Sequence, residues 1–336
     1  MARDIFEIIG SNRLSHYPEM ASAADETPVF LEAGRYDVFG IHTAPAIEPN
    51  GAGVILCAGG SWIPSMNRNR MFVRLARTLA AQGYHVLRYE YRGIGESTGA
   101  EADYNLRRPF VRELRAGVRL LEDRGIDKIF LFGTCFGGIL ALYAAPQLKG
   151  IEGVVLVSPP LGRFAGAAEG ASIARFSRRV SWAGVKARLT DRRKLTSNMR
   201  VLWSRSLMIA GSLGRRVTGR TPRPDNWLAP HLVRAYRYLA AQRVPMVVVW
   251  GDADPGYVRF KRALGHRVGD FMSMLGDKGR LIVHPGQVHR FLTVSSQDLL
   301  IKGAGEWIGW MREQVPSDAV ERLRTEREET RSETVG

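Results

Sequence analysis

The feature that most constrains the fold is a junction between an apolar run and a helix-forming run near residue 135. Residues 129–132 form an apolar run of strand length, and the six residues GTCFGG (133–138) follow it directly. Residues 139–143 are apolar helix formers and alanine. Glycines on both sides of a tight turn let the backbone fold back, because they have no Cβ. The pattern predicts a sharp strand-to-helix turn with Cys135 at its apex, at the N-terminus of the helix.

Two other interpretations of this segment compete with a functional turn. A lone cysteine in an apolar run usually packs in the core, since free cysteine is among the most buried residue types. The uncharged stretch between Lys128 and Lys149 also has the length of a membrane span. The glycines in its first half and Pro146 near its end favour a buried strand and a buried helix. A functional turn therefore requires partners for Cys135 elsewhere in the chain.

Short apolar runs alternate with helical patterns along most of the chain. Such alternation predicts a mostly parallel sheet with helices on both faces. The first two runs are separated by a short turn and predict a β-hairpin. The predicted strands cover residues 29–32, 36–42, 54–57, 85–91, 129–132, 153–158, 245–250 and 280–284, and the other predicted helices cover 67–82, 107–124 and 296–312.

The motif from Gly133 to Gly138 resembles the nucleophile elbow Gly-x-Ser-x-Gly of the α/β-hydrolase superfamily, with cysteine in place of serine. Within that superfamily it resembles the cysteine-bearing members, such as dienelactone hydrolases and polyhydroxyalkanoate synthases. The resemblance implies an α/β-hydrolase fold whose antiparallel edge is the opening hairpin. It also implies that Cys135 is the nucleophile.

The same resemblance implies an acid and a histidine, which follow the nucleophile in that order. The predicted strand ending at Trp250 runs into Gly-Asp-Ala-Asp-Pro, which is similar to the family's Gly-x-x-Asp. The resemblance assigns the acid to Asp254, with Asp252 as the second choice. The competing interpretation is a pair of aspartates that only form a turn. His289 follows the last predicted strand by a few residues and matches the family's base. His284 lies at the strand end and is interpreted as structural.

Two backbone amides are needed to bind the oxyanion that forms during acyl transfer. The resemblance assigns one of them to Phe136, directly after the nucleophile. It assigns the other to Gly60, in the loop Ala-Gly-Gly after the third strand. Ala58 stands there in place of the family's frequent histidine. The role of the loop is unaffected, because backbone N–H groups do the binding. Cys57 is interpreted as a core residue.

The segment from Arg88 to Ser97 carries two glycines, Gly93 and Gly95, after a predicted strand. It lacks the third glycine of a dinucleotide-binding loop and does not open directly into a helix, so we reject that interpretation. The segment resembles the superfamily's Asp-x-Arg-Gly-x-Gly-x-Ser loop after strand four, with Glu90 in place of aspartate. The sequence has no Walker loop, zinc-ligand pair or carboxylate cluster, so we expect no cofactor and no metal.

The positive charge of the chain is concentrated in one central segment. The net charge is +15, and residues 161–243 contain 18 Lys and Arg against 3 acidic residues, so the remainder is neutral. This segment falls where the superfamily inserts its lid, and Met199, Leu202, Trp203, Ile209 and Leu213 lie on roughly one helical face. We predict a mobile lead-in at 1–26, an α/β core at 27–160 and 244–315, a basic helical lid at 161–243 and a charged tail at 316–336.

Bulk composition is that of a globular protein. The 336 residues are 45% hydrophobic and 24% charged, which fits one α/β domain with an insertion. The two cysteines show no paired spacing, which favours a reducing compartment. Acidic residues interrupt the apolar run near the N-terminus, so we expect no secretion signal and a cytoplasmic protein.

The sequence of the predicted basic lid is consistent with several kinds of partner. Its arginines suit an anionic carrier, such as the phosphates of coenzyme A or the arm of a carrier protein. A solvated basic surface and docking on anionic lipid are alternatives that the sequence leaves open. Nucleic acid is disfavoured, because no binding module accompanies the arginines.

These features predict a hydrolase that acts on a thioester or activated ester through an acyl-cysteine intermediate. A thiol at a helix N-terminus beside a histidine loses its proton easily. Thiolate attack on a thioester exchanges one thiolate for another of similar leaving ability. Water or another nucleophile then accepts the acyl group, so both a thioesterase and an acyltransferase are consistent with the sequence. The rival hypothesis is a non-catalytic relative that binds an anionic membrane or an acidic partner through its lid.

Overall fold

The computed structural model describes residues 25–60, 63–99, 110–159, 230–264, 268–288 and 294–314. By its internal contacts the chain divides into two units, and every described residue belongs to the unit formed by 1–161 and 230–336. The predicted lead-in and tail lie outside the described residues, apart from positions 25 and 26. So does the predicted lid, apart from residues 230–243.

An eight-stranded sheet organises the described part of the chain. Its spatial order is β1-β2-β4-β3-β5-β6-β7-β8, with β1–β2 and β2–β4 antiparallel and all other pairs parallel. This confirms the predicted mostly parallel sheet with an antiparallel edge. The strands are β1 (Glu26–Glu32), β2 (Asp37–Thr43), β3 (Ala52–Cys57), β4 (His85–Tyr89), β5 (Lys128–Thr134), β6 (Ile151–Val157), β7 (Met246–Gly251) and β8 (Gly279–His284).

Six of the described helices form two groups, and each group contacts the sheet. The first and last helices described contact each other, and a second set of contacts joins the helices that begin at Val111, Phe136, Pro230 and Val268. All residues of β3 and β7 are buried, which requires cover on both faces of the sheet. The helices are α1 (Met71–Ala80), α2 (Val111–Glu122), α3 (Phe136–Ala144), α4 (Pro230–Ala241), α5 (Pro255–Leu264), α6 (Val268–Leu275) and α7 (Val294–Glu313).

The structure differs from the sequence prediction in four helices. The helix predicted from residue 67 begins only at Met71, because Asn67, Asn69 and Arg70 have positive φ angles that a right-handed helix excludes. The predicted N-cap at Ser296 is wrong, since α7 is already helical at Val294. Helices α5 and α6 had no sequence prediction. The 10 and 8 residues of these helices give too short an amphipathic pattern to stand out.

The uncharged stretch between Lys128 and Lys149 forms β5 and α3, in agreement with the interpretation as a buried strand and helix. Strand β5 pairs with β3 and β6, and its residues from Ile129 to Thr134 are buried. Within the described ranges, no helix has both the length and the apolar character needed to cross a bilayer.

Two histidines pack against each other where β2 meets β4. The Nε2 atom of His42 lies 3.1 Å from Nδ1 of His85, and the two rings are stacked with centroids 5.3 Å apart. Burial, followed by the charges of Arg124 and His85, lowers the pKa of His42 to about 4, and Asp25 opposes that shift. Burial and Arg124 also lower the pKa of His85. Both rings therefore favour the neutral form in the folded protein.

This pair predicts a loss of stability in mild acid. In the unfolded chain His42 takes up a proton below a pH of about 6.5, whereas in the folded chain it does so only near its lowered pKa. Unfolding is then accompanied by proton uptake, so the free energy of unfolding falls as the pH drops from about 6.5 to about 4. We expect His42 to account for about 2–3 kcal/mol of that fall. Urea unfolding at pH 7 and pH 4.5 measures it, and His42→Gln should lose less stability than the parent. Equal losses in the two proteins would contradict the assignment.

Candidate active site

Cys135 occupies the turn between β5 and α3. It is the N-cap residue of α3 and has φ 48° and ψ −112°, a conformation that costs a non-glycine residue free energy. Its amide donates to the carbonyl of Val157 at 2.8 Å, and its carbonyl accepts from the amides of Gly138 and Ile139 at 3.1 and 3.3 Å. Its side chain is partly exposed, whereas Cys57 is buried. The thiol of Cys135 is thus lifted out of the sheet at the start of a helix.

Glycines are required on both sides of this turn because backbone atoms approach closely. A Cβ at Gly137 would overlap the carbonyl oxygen of Cys57 and would lie 2.7 Å from that of Ala58. A Cβ at Gly133 would overlap the carbonyl of Gly137. Gly138 is less crowded, with the carbonyl oxygen of Gly133 at 3.3 Å and Cβ of Pro159 at 3.5 Å from the same hypothetical atom. The first turn of α3 therefore lies directly against the end of β3.

This packing brings the loop after β3 next to Cys135. A Cβ at Gly59 would lie 3.4 Å from Cβ of Cys135, and the following residue, Gly60, is buried. The hydroxyl of Tyr91 donates to the carbonyl of Ala58 at 3.0 Å and holds the start of the loop. The two predicted oxyanion residues, Gly60 and Phe136, thus lie in the two segments that flank Cys135.

Phe136 opens α3, so an acceptor for its amide must come from outside the helix. Its side chain is buried against the rings of Tyr91 and Phe110, with centroids 5.8 and 5.7 Å away. Burial of this side chain fixes the direction of the first helical turn.

Asp254 is fully buried in the loop between β7 and α5. Its Oδ2 atom accepts from the hydroxyl of Ser158 at 2.7 Å and from the amide of Gly251 at 2.9 Å. Its Oδ1 atom accepts from the amide of Val288 at 3.0 Å. A buried carboxylate is tolerated when donors of this kind compensate its lost hydration. The loops after β6, β7 and β8 therefore meet at this one side chain.

Asp252 has a different environment from Asp254. Its side chain is exposed, and its Oδ1 atom accepts from the amide of Gly286 at 2.8 Å. The contact joins the loop after β7 to the loop after β8 at the surface. Burial and hydrogen bonding therefore favour Asp254 over Asp252 as a group that orients a base.

The predicted base, His289, lies outside the described residues. In the sequence His289 follows Val288, and the amide of Val288 donates a hydrogen bond to Asp254. His284 ends β8, where burial lowers its pKa, and its ring centroid lies 6.1 Å from that of Trp307.

Sequence analysis missed Ser158, which is buried and bonds Asp254 through its hydroxyl. Ser158 has a φ angle of 46°, and its amide donates to the carbonyl of Val249 at 2.7 Å. Its sequence signal was a serine followed by two prolines at the end of a buried strand. That signal is also typical of a simple strand end, so it did not identify the contact.

The loop after β4 is organised by the buried carboxylate of Glu90. Its Oε1 atom accepts from the amide of Ser65 at 3.3 Å, and its Oε2 atom accepts from the amide of Glu96 at 3.0 Å. A Cβ at Gly95, where φ is 54°, would overlap this carboxylate. Glu90 thereby joins the loop after β4 to the segment that follows Gly60.

Burial raises the pKa of the Cys57 thiol to about 12. Cys57 is fully buried, as the sequence predicts for a core residue. Among the described residues no group of three or more His, Cys, Asp or Glu side chains could hold a metal ion.

Comparison with known proteins identifies the family. The model of the family described as serine aminopeptidase, S33, matches residues 54–293, which is more than two thirds of the chain. The chain belongs to this family. The membership confirms the α/β-hydrolase fold and the hydrolase class predicted from the sequence. The family description names a serine enzyme, whereas the residue at the turn after β5 is Cys135.

Three solved structures that share the fold are distant from this chain in sequence. An esterase from Pyrococcus furiosus is 15% identical with a TM-score of 0.54, over 88% of this chain and 93% of that one. A proline iminopeptidase from Mycobacterium smegmatis is 13% identical with a TM-score of 0.51, over 86% and 98%. A dienelactone hydrolase from Anabaena variabilis is 16% identical with a TM-score of 0.51, over 85% and 97%. Identities this low show the fold alone. No curated protein matches the chain by sequence.

The packing of α3 predicts that replacement by alanine is destabilising at Gly137 and tolerated at the adjacent Gly138. Alanine within a helix normally stabilises it relative to glycine by about 1 kcal/mol. At Gly137 the added Cβ meets backbone carbonyls that cannot move aside, so we expect Gly137→Ala to destabilise the protein by about 3 kcal/mol or more. Gly138→Ala is the matched control and should cost less than about 1 kcal/mol. Urea unfolding of both variants measures the difference, and similar stabilities would contradict the close packing.

Proposed function

We propose that this protein is a cysteine-dependent hydrolase that acts on thioesters or activated esters through an acyl-cysteine intermediate. The observation that carries the proposal is the conformation of Cys135, which has a positive φ angle and a partly exposed side chain at the N-terminus of α3. A cysteine with only a packing role gains nothing from such a strained position. Strain of this kind is concentrated at functional sites.

In the proposed mechanism His289 removes the proton of the Cys135 thiol, and the thiolate attacks the carbonyl carbon of the substrate. The carbonyl oxygen becomes an oxyanion, which the amides of Gly60 and Phe136 bind. The carbon–sulfur or carbon–oxygen bond to the leaving group then breaks, and His289 donates its proton to that group. The acyl group remains on Cys135. Water activated by His289 attacks the acyl-cysteine, releases the carboxylic acid and restores the thiol.

Asp254 is proposed to orient His289 and to stabilise its protonated form. Two features support this role. Asp254 is buried and bonded by fixed donors, so its carboxylate is held in one position. The amide of Val288 also donates to it at 3.0 Å, and His289 is the next residue in the sequence.

Thioesters and activated esters are favoured over amides by the chemistry of the leaving group. A thiolate displaced from a thioester is as good a leaving group as the attacking Cys135 thiolate. An amine must be protonated before it leaves, so cleavage of an amide depends more strongly on proton donation by His289. Another nucleophile in place of water would make the protein an acyltransferase.

The basic segment and the two free thiols bear on the partners and the compartment of the protein. The basic segment 161–243 is proposed to form a lid that accepts an acyl chain or the phosphates of its carrier. Contact with an anionic membrane through the same segment is the competing role. Cys57 and Cys135 are both free thiols, which supports a reducing compartment such as the cytoplasm.

Replacement of Cys135 tests the proposal. We expect Cys135→Ala to abolish the acyl adduct that intact-protein mass spectrometry detects after mixing with a short-chain acyl thioester. Hydrolysis should fall by at least about 10³-fold, because the nucleophile is lost. Cys57→Ala is the control, since its thiol is buried and protonated, and its adduct should persist at Cys135. An adduct that persists in Cys135→Ala would overturn the proposal, and so would a parent protein that neither forms an adduct with nor hydrolyses any thioester or ester offered.

The two aspartates after β7 give a second test. We expect Asp254→Asn to lower kcat/KM for a phosphate-free acyl thioester by about 10³-fold, because the histidine loses its orienting charge. Asp252→Asn replaces an exposed group, and its loss should stay below about tenfold. Initial rates at several substrate concentrations measure both values. A larger loss in Asp252→Asn would assign the acid to Asp252.

A further inference from the structure

An open depression of about 390 Å³ lies beside the loop that carries Asp254. We call it the α5 depression. It is lined by Asp252 of that loop and by Tyr257, Val258, Lys261 and Arg262 of α5. The four helical residues lie on one face of α5, because positions four apart on a helix are neighbours.

The α5 depression is a positively charged site. Helix α5 contains Arg259, Lys261 and Arg262 and no acidic residue. Both Lys261 and Arg262 are exposed, and within the described ranges neither forms an ion pair. Asp252 contributes one negative charge, and its carboxylate accepts from the amide of Gly286, so the charged residues that line the depression sum to +1. The two cations are therefore able to bind an anion from solution.

One wall of the α5 depression is apolar and rigid. The ring of Tyr257 packs on Trp250 and Phe260, with centroids 5.6 and 6.2 Å away. Beside it Val258 is exposed to 42% of its surface. An aromatic face and an aliphatic side chain next to two cations suit a ligand that joins a planar or apolar body to an anionic group.

One lining residue of the α5 depression, Asp252, lies at the same edge of the sheet as Cys135. Strands β5, β6 and β7 are parallel neighbours, so Cys135 and Asp252 both follow carboxyl ends of strands. Two strand spacings separate β5 from β7, which is about 10 Å across the sheet. A substrate long enough to cover this distance can contact both places.

We propose that the α5 depression binds the phosphate-bearing end of the carrier that delivers the acyl group, as in a coenzyme A thioester. This inference rests on the proposed function. Lysine and arginine together match a phosphate, since arginine binds its oxygens in pairs and lysine adds a mobile charge. The aromatic wall suits the base that such a carrier attaches to its phosphates. The size of the depression fits part of a small molecule and not a protein surface.

The experiment compares one acyl group on two carriers. Butyryl-coenzyme A carries phosphates, and butyryl-N-acetylcysteamine presents the same thioester without them. We expect Lys261→Gln/Arg262→Gln to lower the ratio of kcat/KM for the first substrate to kcat/KM for the second by about tenfold, which equals about 1.4 kcal/mol. The ratio should also fall with added salt in the parent protein, because exposed charges are screened.

Arg259→Gln is the matched control. It removes one positive charge from the same helix, and Arg259 does not line the α5 depression. Its ratio should stay within about twofold of the parent, as expected for an exposed charge outside the site. Lys261 and Arg262 also interact favourably with the C-terminal end of the helix dipole, so their replacement can lower the stability of α5. Thermal unfolding of all variants detects such a loss. If the double variant fails to fold, Arg262→Gln alone provides the same comparison.

Direct binding separates this inference from the proposed function. Calorimetric titration with adenosine 3′,5′-bisphosphate, which has the phosphates but no thioester, should show binding to Cys135→Ala. Lys261→Gln/Arg262→Gln introduced into that background should lose it. An unchanged substrate ratio together with unchanged titration would overturn the inference and leave the chemistry at Cys135 standing. If the parent protein binds the bisphosphate, Lys261→Gln/Arg262→Gln loses that binding and no thioester is hydrolysed, the depression is supported and the proposed reaction is rejected.

Discussion

The structure around the candidate site depends on one steric constraint, the close approach of α3 to the end of β3. The backbone of Gly137 lies against the carbonyls of Cys57 and Ala58, and only a residue without Cβ fits there. This approach forces the chain through a tight turn, which gives Cys135 its positive φ angle. It also brings the loop that contains Gly60 beside Cys135. One packing contact thus sets the position of the thiol and of both predicted oxyanion amides.

A second constraint acts on the opposite side of the turn, at the buried carboxylate of Asp254. A charge removed from water requires donors, and these come from Ser158, Gly251 and Val288 after three neighbouring strands. Satisfying the charge therefore ties the loops after β6, β7 and β8 together. The α5 depression begins in the same loop as Asp254, so its position relative to the site follows from the same network.

The success of the sequence prediction varied with the range of the interactions involved. The strands were predicted well, because buried parallel strands are short apolar runs with a local signature, as in β3 and β7. The start of α1 was wrong, since the positive φ angles of Asn67, Asn69 and Arg70 leave no pattern in the sequence. Ser158 was missed because its partner Asp254 is 96 residues away in the chain. The preference for Asp254 over Asp252 needed burial, which their shared local sequence could not supply.

The sequence by itself determined the order of the elements, the strand-to-helix junction at Cys135 and the order of candidate residues along the chain. These features are local, because apolar periodicity and glycine spacing act over a few residues. Only the tertiary structure decided which aspartate is buried, which serine bonds it and which arginines and lysines share the α5 depression. Those features arise where separate loops meet at the carboxyl edge of the sheet, and they depend on packing between segments that are far apart in the chain.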